Sequence, residues 1–133
     1  MRWNIGIGLG LWLAVTASLL FGQSSRPVRL RFTPGAFSTT VSGTLTGYAY
    51  RDYVVRARAG QVLSFALSRS TPQPVGVVLP AGGGDPLPGG EDRTGHVTLP
   101  ADGDYIVRVL LMRNDARRTK RAIRFSLTVE ILP

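Results

Sequence analysis

Ile123-Arg124-Phe125-Ser126-Leu127-Thr128-Val129-Glu130-Ile131 alternates without a break. Ile123, Phe125, Leu127, Val129 and Ile131 fall on one face, and Arg124, Ser126, Thr128 and Glu130 on the other. A period of two places successive side chains on opposite faces of a strand, so one face of this segment turns to a core and the other to water. Residues 105–112, just upstream, are apolar on both faces apart from Arg108. That is the pattern of a strand in the middle of a sheet.

Working back from this pair, the chain reads as a series of short strands. Val28, Leu30 and Phe32 share a face of 28–32. Residues 38–45 are rich in Thr and Val, 53–57 and 62–67 flank the turn signal Ala59-Gly60, and 75–79 and 95–99 follow. Eight short strands joined by turns predict an all-β, antiparallel sandwich or small barrel. Leu30, Phe65, Val107, Leu127 and Val129 are the expected core, and Tyr105 is expected inward and structural. No βαβ pattern is present, and nothing after residue 25 has helical periodicity beyond a turn or two. Residues 69–95 hold five prolines and seven glycines and predict a long mobile loop with one strand embedded. Their glycine runs precede no helix and match no phosphate-loop spacing.

The first 25 residues stand apart. One charge at Arg2, an uncharged apolar run from Ile5 to Phe21, and the small polar boundary Gly22-Gln23-Ser24-Ser25 predict a signal peptide over 1–25, cleaved near Gly22. The apolar run of 17 residues exceeds the usual ~7–15, which leaves an uncleaved N-terminal anchor as the alternative. No second segment is suited to span a membrane. One domain, 26–133, is then expected in the periplasm or outside the cell. With no cysteine in the chain, that domain holds together by packing alone.

Formal charge is +8, or +7 without Arg2, and Lys120 is the only lysine. Such a balance suits an anionic envelope polymer or an acidic cleft as partner. The export signal and the lack of a recognition helix argue against nucleic acid. His96 is the only histidine and lies in a strand-like stretch, where a surface or structural role is expected. Asp85, Glu91, Asp92 and Asp102 have no calcium-loop spacing. No paired groups suit acid–base catalysis. The expectation is a binding module with no catalytic residues, no metal and no cofactor.

Two pieces carry the binding hypothesis. Arg113-Asn114-Asp115-Ala116-Arg117-Arg118 follows the apolar seventh strand, so a rigid element brings several guanidiniums to the surface. Arginine's planar fork matches a carboxylate bidentately. The other piece is Gly47-Tyr48-Ala49-Tyr50. In order and spacing with Ala59-Gly60-Gln61 and Asp102-Gly103-Asp104-Tyr105, these resemble bacterial periplasmic inhibitors of goose-type (g-type) lysozyme. The resemblance covers the whole mature chain. It implies a β-sandwich that inserts loops into the lysozyme's substrate cleft, with Tyr48, Arg113 and Arg117 facing the enzyme and Tyr50, Asn114, Asp115 and Arg118 beside them. A glycosidase cleft holds an essential carboxylic acid. Guanidiniums pair with carboxylates, and a tyrosine ring fills a sugar subsite. The rival reading is an exported sandwich domain that binds anionic envelope polymers, or an accessory carbohydrate- or protein-binding module.

Overall fold

The structure, a computed structural model, describes residues 26–133. The expected signal segment, 1–25, lies outside the described residues. Eight strands and one short helix form: β1 (Val28–Arg29), β2 (Ser38–Leu45), β3 (Tyr50–Ala57), β4 (Val62–Leu67), β5 (Val75–Pro80), β6 (Thr94–Thr98), β7 (Gly103–Leu110), α1 (Arg113–Arg118) and β8 (Ile123–Leu132). They build two four-stranded sheets, in the orders β1-β3-β7-β5 and β2-β8-β4-β6. Of the two architectures the strand pattern allowed, the chain is therefore a sandwich. Every pairing is antiparallel except β1 with β3, which is parallel.

β8 lies between β2 and β4, and its alternation becomes the burial pattern. Ile123, Phe125, Leu127 and Val129 are buried, and Ile131, at the strand's far end, is half-buried. β7 is likewise an interior strand of its sheet. The five expected core residues, Leu30, Phe65, Val107, Leu127 and Val129, are all buried. Tyr105 points inward too. Its hydroxyl donates to the Ala101 carbonyl at 2.6 Å and accepts from the Ala101 N–H at 3.2 Å, pinning the turn before β7.

Three local expectations change. The first strand keeps only two paired residues. It runs along the edge of its sheet beside β3, and one further bond, Leu30 N–H to Val54 O (2.8 Å), carries Leu30 into the core. The third strand gains residues 50–52, which pair with β7. The Gly/Pro-rich stretch, finally, is tied down at several points. Gly76 N–H bonds to Asp92 O, Leu87 N–H to Val78 O and His96 N–H to Gly89 O, and Leu87 packs on the core. Two of its glycines have a packing reason. A Cβ at Gly76 or Gly95 would run into the Phe65 ring. Glycine there makes room for an aromatic side chain, where composition alone reads as loop.

Candidate binding site

The site is set by which strand ends meet. β2 finishes at Leu45, opposite Ile123 at the start of β8. β3 starts at Tyr50, opposite Leu110 at the end of β7. The β2–β3 turn and the β7–β8 connection therefore cross between the sheets at the same end of the sandwich. β5 also starts there, since Val75 lies opposite Leu110. The β4–β5 loop thus joins them, tied on by the Arg121 guanidinium, which donates to Thr71 O at 3.3 Å.

The β2–β3 turn closes through Ala49 N–H to Thr46 O (3.1 Å) and needs Gly47, whose φ is +59°. This geometry lifts Tyr48 to 66% exposure with no partner among the described residues. Tyr50 is different. It is the first residue of β3, half-buried, with the Arg108 guanidinium 4.1 Å over its ring. Arg108 also forks onto Asp52, with Nε to Oδ1 at 2.8 Å and Nη2 to Oδ2 at 2.9 Å. Those hydrogen bonds push the Arg108 guanidinium above its ordinary range, against the opposing effect of burial. A rigid stack of Asp52, Arg108 and Tyr50 thus lies on the outer face of the sheet, just behind the turn that carries Tyr48.

α1 is held by Ala116, which is buried in the core. Ala116 N–H bonds to Met112 O (2.8 Å), and Thr119 N–H closes the helix on Asp115 O (2.9 Å). With Ala116 inward, the arginines face out. Arg113 and Arg117 are one helical turn apart and share a face. Arg117 and Arg118 sit in the last turn, where positive charge suits the helix dipole. Arg117 reaches Asn114 Oδ1 at 3.2 Å, and Arg118 pairs with Asp115 at 3.3 Å. Arg113 has no partner among the described residues. Tyr48, Arg113, Asn114, Asp115, Arg117 and Arg118 are thus gathered at one end, with Tyr50 in the strand behind.

Sequence reasoning missed several neighbours. Met112, expected inside the seventh strand, lies beyond its end and is 56% exposed. Exposed Arg69 and the tether Arg121 belong to the same end through the β4–β5 loop. The Asp52–Arg108 pair has no sequence signal at all, because it depends on the β3–β7 register. Among the described residues no group of acids and histidines is arranged to hold a metal ion, and no helix is long and apolar enough to cross a membrane. His96 accepts or donates at Nδ1 to Ser64 Oγ (2.9 Å) on the exposed face of its sheet.

A sandwich that gathers an exposed aromatic ring and an arginine-faced helix at one end has the make-up of a binding surface. No family model matches the chain. It is 31% identical to the inhibitor of g-type lysozyme of Escherichia coli, over 83% of this chain and 84% of that protein. The solved PliG of Aeromonas hydrophila, a periplasmic inhibitor of g-type lysozyme, superposes with a TM-score of 0.70 at 29% identity, covering 83% of this chain and 99% of that one. Salmonella Typhimurium PliG gives 0.68 at 31%, covering 81% and 99%. The chain belongs to the family of inhibitors of g-type lysozyme.

Proposed function

We propose that this protein is a periplasmic inhibitor of g-type lysozyme. It is a binding protein, not an enzyme, and its partner is the muramidase. The observation that carries this is the family relationship, which runs across nearly the whole described domain and across relatives similar in both sequence and fold. In the mechanism proposed, the loop end enters the substrate cleft. Tyr48 lies in a sugar subsite, and Arg113 and Arg117 pair with the carboxyl groups there. Tyr50, Asn114, Asp115 and Arg118 hold this surface in shape. Support for those roles comes from the shared end of the sandwich, from the exposure of Tyr48, and from the unpartnered Arg113.

The test is a titration of the purified domain against goose-, chicken- and invertebrate-type lysozymes, with variants. Stoichiometric inhibition of the g-type enzyme alone is expected. Arg117→Ala should cost roughly 2–5 kcal/mol in affinity, because a cleft carboxylate loses its partner. Tyr48→Ala should weaken inhibition as well. Arg31→Ala is the control, exposed in the β1–β2 loop at the far end, and should change little. Equal, weak effects from all three, with affinity falling steeply in salt, would instead indicate diffuse electrostatic binding and overturn the cleft mechanism.

A further inference from the structure

The edges of the two sheets are formed by β1, β5, β2 and β6. Three of them are closed to a further strand. β1 keeps only two paired residues, and one of these is Arg29, held by Asp104. The stretch before β6 covers two more. Along β5, Gly76 N–H bonds to Asp92 O and Leu87 N–H to Val78 O, both at 2.8 Å, and along β6, His96 N–H bonds to Gly89 O at 2.9 Å. β2 is the exception. It is eight residues long, with no charged residue and no proline. Native sheets protect such a strand with lysine, proline, a bulge or a covering loop, since its free N–H and C=O groups are a template for another strand.

The register shows which groups of β2 are free. The Phe37 carbonyl accepts the Ile131 N–H at 2.9 Å, one step beyond the Ser38–Glu130 pair. Hydrogen-bonded and non-bonded pairs alternate in an antiparallel ladder, so the odd-numbered residues of β2 bond to β8. Thr40 and Thr128 are then a non-bonded pair, and their hydroxyls meet at 2.9 Å, as that closer spacing allows. Ser38, Thr40, Ser42 and Thr44 turn their N–H and C=O groups to the open edge, where they have no backbone partner among the described residues. We propose that this edge pairs with the β2 edge of a second copy of the chain, antiparallel about a two-fold axis at Val41. That axis sets Thr40 opposite Ser42 of the copy and Ser38 opposite Thr44, so the outward backbone groups of β2 all meet partners. Hydroxyls face hydroxyls on the outer side. On the inner side the two half-buried Val41 side chains meet, next to Phe37, which is 60% exposed. Most surfaces of a chain with a net charge of +8 repel a copy, whereas an uncharged strand does not. Glu130, beside Ser38, falls in one cross-strand row with Arg124 of the copy, beside its Thr44, so the charges flanking the pair are opposite. The assembly closes at two, because the outer strands of the joined sheet are the two β6 strands, whose edges are covered. Antiparallel pairing points the two Tyr48 ends away from each other, so the dimer is independent of lysozyme inhibition.

Analytical ultracentrifugation of the purified protein tests this. An interface of one strand edge is small, so a monomer at about 1 µM and a dimer at about 1 mM are expected. Thr40→Pro removes an N–H that points away from β8, so it should abolish the dimer while melting and lysozyme inhibition stay unchanged. Thr40→Lys and Ser42→Glu, both on exposed side chains, test the register. Each alone should weaken self-association by about tenfold, through like charges facing each other across the axis. An equimolar mixture of the two variants should restore it, since the new charges then lie opposite one another. A protein still monomeric at the highest concentration, a dimer that survives Thr40→Pro, or a mixture that associates no more tightly than either variant alone would overturn the proposal.

Discussion

Tyr53 Oη is buried with no hydrogen-bond partner among the described residues. Burial pushes its phenol above the ordinary range, with Arg51 opposing. The ring itself is well placed, edge-on to Phe125 with centroids 6.3 Å apart. Both rings close over Gly43 in β2, where a Cβ would stand 2.7 Å from Phe125 and 2.8 Å from the Tyr53 hydroxyl. Glycine in the middle of a strand is explained by that close approach. An unsatisfied buried hydroxyl costs free energy, so Tyr53→Phe should be neutral or stabilise by up to about 1 kcal/mol in a urea titration. A loss beyond about 1 kcal/mol would show that the hydroxyl has a partner. Asp52 is the contrasting case, a buried carboxylate met by both arms of Arg108. Neither residue's situation is visible along the chain, because each is defined by a neighbour on another strand.

At the level of elements, β8 is the organiser of its sheet, paired on both sides. Leu127 is fully buried at its centre. Leu127→Ala should cost on the order of 2–5 kcal/mol, read as a shift in the urea midpoint, and a change of a few tenths would mean that the site collapses around the gap. α1 is the opposite kind of element. Six residues do not make a stable helix in water. It persists because β7 and β8 fix its ends and Ala116 is buried beneath it. Alanine in Asn114-Asp115-Ala116-Arg117 is thus the core anchor of an otherwise polar, arginine-bearing turn. The alternation of β8 was legible by eye. The single helical turn that puts Arg113 and Arg117 together was suggested by their spacing, while its anchor was not.

Across the whole molecule, the cysteine-free domain relies on one core shared by both sheets. The chain's formal net charge is +8, so its overall field would repel a basic partner and slow the encounter. Local pairing at the loop end has to supply the affinity. We propose that the charged start, the apolar run and the small polar boundary act as a cleaved signal peptide, so N-terminal sequencing of the protein from the envelope fraction should find a start between residues 23 and 26. Recovery of an intact Met1 from membranes would establish the anchored form instead.

The residue pattern by itself determined that eight short strands form and in what order, though not all their ends, which face of β8 is apolar, that no disulfide helps to hold the domain, and the motifs that tie it to lysozyme inhibitors. Those properties are local, carried by a period of two or by short spacings. Only the tertiary structure decided that 28–29 pairs in parallel, that Phe65 lies against Gly76 and Gly95, that Asp52 meets Arg108, and that the β4–β5 loop joins Tyr48 and α1 at one end. Each of these depends on register between segments far apart in the chain. Register is set by the packing of two whole sheets, so no short window of sequence contains it.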